Sequence, residues 1–241
     1  MLLEICANSY QSAMNAATAG AERIELCSEL AVGGVTPSYG LLTKVCKDLQ
    51  IPIHVLIRPR SGDFTYSDVE FEIMKANIEL CKELDCAGIV SGILHSDFTI
   101  DQKRTKELIA LAKPLSFTFH RAFDWIPNPK EAVQVLAELG AARVLTSGQA
   151  PTAEEGTALL ATLQEIAGNN LIIMPGGGIN PENVVVFKKF GFQEIHCSAT
   201  SLQQTINTPN ISMNSQQMIS DTHVAISNTE KIKQIRKGIH S

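Results

Sequence analysis

The sequence predicts a closed parallel α/β barrel of eight strand–helix units, on three observations. Eight short apolar runs recur along the chain, each followed by a helix-compatible stretch. The 241 residues match the roughly 250 of one such barrel, so a single domain over 1–241 is expected. The unusual polar residues fall at the carboxyl ends of the runs, where the loops of this fold build its functional face.

The first run, Leu2–Ala7, alternates Glu4 and Cys6 against Leu3, Ile5 and Ala7. Ser9 is suited to cap a helix over Gln11–Ala19 that closes at Gly20. Arg23–Cys27 repeats the alternation, with Arg23, Glu25 and Cys27 opposite Ile24 and Leu26. Because barrel strands carry helices outside, the apolar sets are expected to face outward and the polar sets inward. Buried charges need partners, and Arg23 and Arg58 are available to Glu4 and Glu25. Gly33-Gly34 makes a tight loop, and the third run, Ile53–Pro59, ends in a loop carrying Arg58 and Arg60. Ser67 is suited to cap a long helix through Leu84, before the fourth run, Ala87–Gly92.

The fifth run, Ser116–Ala122, brings His120 to the mouth with Asp124 in the following loop. Asn128-Pro129 opens a helix, and Arg143–Gly148 is the sixth run. The seventh, Leu171–Gly176, flows into Gly176, Gly177 and Gly178, then Asn180-Pro181, a cap or turn before a helix. Glu194–Ala199 is the eighth run and carries His196 and Ser198. The stretch 201–221 is dense in Ser, Thr, Asn and Gln and is expected to be a mobile loop over the mouth, followed by an amphipathic helix over Val224–Ile239.

A net charge of −5, without a basic stripe interleaved with aromatics, gives no indication of a nucleic-acid surface. No apolar run approaches the roughly 20 residues that span a bilayer, and no export signal is recognised, so a cytoplasmic protein without a membrane partner is expected. Homo-oligomerisation is left open. In a reducing compartment the six cysteines are expected to be free thiols.

Cys6 and Cys27 lie on strands that neighbour one another in the barrel. They are either packed thiols or two soft ligands, and two thiolates with few competing oxygens favour Cu(I). Glu25 and His120 are candidates for moving a proton, with Asp124 to orient His120, while a purely structural histidine is the alternative. Arg58, Arg60, Gly176, Gly177, Gly178 and Ser198 are candidates for holding a small anion, since glycine loops after the late strands let backbone N–H groups converge.

The strings EICANSYQSA, GAERIELCSEL with GGVTPS, IRPRSGDFTYSD, TFHRAFD, LTSG, MPGGGI and HCSA, in this order, resemble the CutC family of copper homeostasis proteins from about Leu2 to Ala199. The resemblance implies a cytoplasmic parallel α/β barrel acting in copper homeostasis, with Cys6 and Cys27 matching cysteines considered copper ligands. Two functions are therefore carried forward: Cu(I) binding at Cys6 and Cys27, or metal-independent lyase, isomerase or hydrolase chemistry on a small anionic or phosphorylated metabolite.

Overall fold

The computed structural model describes residues 1–213 and 221–240. Strands β1 (Leu2–Ala7), β2 (Arg23–Leu26), β3 (Ile53–Leu56), β4 (Gly88–Ser91), β5 (Ser116–Phe119), β6 (Arg143–Thr146), β7 (Ile172–Pro175) and β8 (Glu194–Cys197) pair in parallel in the order β7-β6-β5-β4-β3-β2-β1-β8. A parallel bridge from Gly176 to His196 closes β7 onto β8, completing a TIM-type barrel. Helices α1 (Tyr10–Thr18), α2 (Tyr39–Asp48), α3 (Asp68–Glu83), α4 (Gln102–Ala112), α5 (Pro129–Leu139), α6 (Thr157–Ala167) and α7 (Val184–Lys189) form the crossovers that parallel pairing requires.

Local chemistry sets the helix starts. Ser9 accepts from the Ser12 N–H at the head of α1, and Ser67 forms a full capping box with Glu70 at the head of α3. Pro129 occupies the first turn of α5, where its missing N–H costs nothing. Asn180 instead builds a turn, accepting from the Glu182 and Asn183 N–H groups, so α7 begins only at Val184.

The polar stretch after β8 is not loop throughout. β9 (Thr200–Gln204) pairs antiparallel with β10 (His223–Ser227), and α8 (Thr229–His240) follows. Val224–Ser227 is therefore strand rather than the start of the last helix. Its alternation is short, and its fixing contacts are distant in sequence: Ser227 N–H donates to Ser12 Oγ and Asn15 donates to the Ser227 carbonyl. The remainder of the expected 201–221 loop lies in part outside the described residues.

Strand alternation divides the interior in two. Leu3, Ile5, Ala7, Ile24 and Leu26 join the large apolar layer beneath the helices, whereas Cys6, Cys27, Leu56 and Val90 form a separate small cluster capped by Leu30. Below that cluster the barrel is filled by ion pairs and by His54, which sits beside Gly88. A Cβ at Gly88 would lie 2.6 Å from His54 Nε2, so the absent side chain is the space the ring occupies. Gly88→Ala should destabilise the fold by about 1–3 kcal/mol through overpacking, read as a lower urea midpoint. The same loss in a His54→Ala background, where the ring is gone, would show that the clash is not its cause.

Burial is the main force lowering His54 and His120 to a pKa of about 3, opposed at His54 by Glu4 and aided at His120 by Arg58. The unfolded chain takes up these two protons near pH 6.5, and the folded chain resists until about 3. Stability should therefore already fall as pH drops from 6.5 toward 5, above the carboxylate range, in urea titrations across pH. A flat stability profile over that interval would contradict both neutral histidines.

Candidate functional site

The site rises from a charged floor. Glu4 is fully buried; Arg23 Nε donates to its Oε2 at 2.5 Å, and His196 Nδ1 meets its Oε1 at 2.7 Å. Arg23 also bonds Glu194, which accepts from Arg143 Nε at 3.1 Å, and Arg143 reaches Ser116 Oγ at 2.7 Å. Burial alone would raise the Glu4 pKa, but the His196 hydrogen bond and the Arg23 charge outweigh it and hold the carboxyl well below its usual range. Glu4 is thus an anion with its proton-donating neighbours fixed.

This fixes the ring of His196. Burial opposes its charge, yet Glu25 and Glu4 together hold its pKa above the ordinary histidine value. With Nδ1–H committed to Glu4, Nε2 is the atom turned toward Glu25, 3.6 Å from Oε2. A carboxylate holding one ring nitrogen so that the other can bind an ion is the usual support of a metal-ligating histidine.

Above this floor the Cys6 and Cys27 sulfurs lie 3.5 Å apart, both buried. The Cys27 contact, burial and the Glu25 charge push the Cys6 thiol well up, so it stays protonated near neutrality. Cys6, Glu25 and His196 present ligand atoms all within 4.8 Å of one another, the one such trio among the described residues. The trio offers one sulfur, one carboxylate oxygen and one imidazole nitrogen, and Cys27 adjoins it through Cys6 alone.

The cluster opens into a cavity of about 250 Å³ at the carboxyl ends of the strands, whose lining also includes Arg58, His120, Arg121, Gly177, Gly178 and Ser198. A larger groove of about 780 Å³ lies outside the barrel against α3, α4 and α5 and contains no cysteine. The barrel mouth is the candidate site because buried unpartnered polar atoms, thiols and glycine turns meet there.

The expected site residues separate into two groups. Cys6, Cys27 and Glu25 converge as described, and His120, Arg58, Gly177, Gly178 and Ser198 line or border the mouth. Arg58 does not pair with Glu25; its Nη atoms donate to the carbonyls of Val32, Gly34 and Gly62. Arg60 turns away to Glu70 and Asp63, drawn by the capping box of α3, and does not line the cavity. Asp124 does not orient His120. It accepts from Thr146, Ser147, Gln149 and Arg121, while His120 Nδ1 accepts from the Ala122 N–H. Gly176 lies below the mouth, where a Cβ would strike Leu145 at 2.4 Å. Sequence reasoning passed over Arg121 and did not connect His196 with the thiols, because the bond that aims His196 spans 192 positions.

Comparison with known proteins gives the family and supports the fold. The CutC family model matches residues 1–201. The chain belongs to the CutC family. It is 42% identical over 236 residues to a human protein named copper homeostasis protein cutC homolog, covering 96% of this chain and 86% of that one. It is 47% identical over 199 residues to a CutC family protein of Chromobacterium violaceum, covering 82% and 81% of the two chains. The crystal structure of a CutC protein from Streptococcus agalactiae superposes with a TM-score of 0.78 at 36% identity, covering 82% of this chain and 98% of that one. The family match ends near β9, so it takes in the barrel and every residue of the cluster just described.

Glu4→Gln tests the floor directly. It leaves Arg23 without one of its two carboxylates and should cost about 3–5 kcal/mol of stability. In the folded fraction it should also lower the His196 pKa, since it removes a carboxylate that raises it. Ring-proton NMR titration reads the second effect, and an unmoved His196 would contradict the Glu4 contact.

Proposed function

We propose that this protein takes up Cu(I) as its cargo through Cys6 and Cys27, with His196 Nε2 as a third donor, and so serves copper homeostasis in the cytoplasm. The observation that carries this reading is the 3.5 Å thiol pair, whose Cys6 also comes within 4.8 Å of the Glu4-anchored His196. Two soft sulfurs and an imidazole suit a monovalent, low-coordinate ion better than a hard one. The apolar side chains of Leu56, Val90 and Leu30 around the thiols favour few ligands and exclude water. The names of the human and bacterial relatives point to the same metal.

The chemistry of loading follows from the thiols. Only thiolates and a neutral imidazole bind the ion, so Cys6 and Cys27 release protons as they take it up, and His196 gives up the proton that its raised pKa favours. Glu25 lies in contact with Cys6, and burial, its largest influence, raises its pKa toward that of a group able to accept such a proton.

Reduced protein titrated against a Cu(I) chelator should bind about one ion, with Cys6→Ser and Cys27→Ser each weakening it strongly and Cys46→Ser leaving it unchanged. Cys46 provides the control because it sits in α2, paired at 3.7 Å with Cys86 in the outer layer. Affinity should rise with pH, about tenfold per unit for each proton released, because raising the pH favours the thiolates. Equal affinity in all three variants, pH-independent binding, or displacement of Cu(I) by equimolar Zn(II) would overturn the assignment.

A further inference from the structure

Beside the thiols, at the end of β3, stands a buried cation with no acid to balance it among the described residues. Arg58 is only 5% exposed, yet among the described residues its guanidinium meets no carboxylate. Its two Nη atoms are spent on three backbone carbonyls, Phe64 stacks against it with the ring centre 5.0 Å away, and Nε has no partner. Buried charges are ordinarily paired, so an uncompensated guanidinium bordering a cavity is suited to receive an anion.

The neighbouring groups are donors as well. His120 Nδ1 accepts from the Ala122 N–H, which leaves the proton of the neutral ring on Nε2, and that atom too is buried without a partner. Arg121 uses Nε on Asp124 and Nη2 on Ser147, leaving Nη1 beside the glycine loop: a Cβ at Gly177 would lie 3.4 Å from it. Gly177 and Gly178 hold φ of +110° and +77°, a backbone that other residues rarely adopt, and among the described residues their N–H groups bond to nothing. Asp124, which pairs with Arg121, is saturated by its own donors, and Glu25 is the carboxylate that lines the cavity. The strand order sets β5, which delivers His120 and Arg121, four places from β1, which delivers Cys6. The donors thus come from the ends of β3, β5 and β7, and the candidate metal ligands from β1, β2 and β8.

We infer that the mouth binds a small phosphate-bearing anion, with Arg58 Nε, His120 Nε2, Arg121 Nη1 and the Gly177 and Gly178 N–H groups as its hydrogen-bond donors. Five donors from three directions match the several oxygens of a phosphate better than the two of a carboxylate. The cavity of about 250 Å³ admits a phosphate with a few attached carbons, not a nucleotide. Phe64, whose ring lies 4.9 Å from that of His120, lines the same mouth and keeps its bonds away from bulk water. Copper takes no part in this site, so the inference does not rest on the proposed cargo. It does join the two halves of the mouth, because an anion bound there faces Glu25, the group placed to exchange a proton.

The test uses reduced, metal-free, full-length protein and thermal unfolding in inorganic phosphate, glycerol 3-phosphate, glycerol and succinate. Both phosphates should raise the midpoint with the logarithm of their excess over the dissociation constant, and glycerol should not. Arg121→Gln should weaken phosphate binding tenfold or more, since it removes a charge-assisted donor. That variant keeps its fold, because Asp124 retains Thr146, Ser147 and Gln149. Cys6→Ser/Cys27→Ser should bind phosphate as the unmodified protein does, and phosphorus NMR line broadening gives the same affinities without heating. No stabilisation by millimolar phosphate, an unchanged Arg121→Gln, equal stabilisation by succinate, or loss in the cysteine double variant would each overturn the inference. Phosphate binding without Cu(I) binding would instead sink the copper proposal and leave this one standing.

Discussion

One buried carboxylate organises the centre of this barrel. Glu4 receives Arg23 on one oxygen and His196 on the other, and through Arg23 and Glu194 the bond network reaches Arg143 on the far side. An ion cluster of this kind is poor as a source of stability, because desolvation offsets most of its attraction. Its value here is directional. Every member is held by at least one partner on another strand, so register errors between β1, β2, β6 and β8 would leave a charge unpaired in a low-dielectric interior.

The same carboxylate determines what the layer above can do. By fixing Nδ1 of His196 it turns Nε2 toward Cys6 and Glu25, the arrangement that the proposed ligand role requires. The interior therefore changes character with height: ions at the floor, then thiols among Leu56 and Val90, then a polar mouth. Two interior glycines admit the rings that this layering needs. Gly88 makes room for His54 and Gly92 for His120, whose Nδ1 would lie 2.7 Å from a Cβ there. Among the donors of the mouth the logic is reversed, with Arg58 and the orphaned ring nitrogen of His120 leaving positive potential that the chain does not neutralise.

Strand alternation made the barrel and its inward Glu and Cys rungs legible, because a period of two in Leu2–Ala7 and Arg23–Cys27 leaves one register that buries the apolar set under helices. The convergence of Cys6 with Cys27 followed from that register. Contacts closed by the barrel itself were not legible: nothing near His196 in sequence announces Glu4, and nothing near Arg143 announces Glu194. Arg60 and Asp124 illustrate the opposite error, in which a charge at a strand end is taken up by local structure, the capping box in one case and the Thr146–Ser147 turn in the other. The β9–β10 hairpin was hidden by a composition poor in β-formers, and its tie to α1 runs through hydroxyl and amide groups that leave no periodic signal.

The central claim is that Glu4 aims His196 so that an ion at Cys6 and Cys27 gains an imidazole nitrogen. X-ray absorption at the copper edge of the Cu(I)-loaded protein measures this directly, because sulfur and nitrogen neighbours scatter distinguishably. The account predicts two sulfurs and one nitrogen in the unmodified protein, with the nitrogen lost in Glu4→Gln. A site of sulfurs alone in the unmodified protein, or a nitrogen that persists unchanged when Glu4 is replaced, would contradict it.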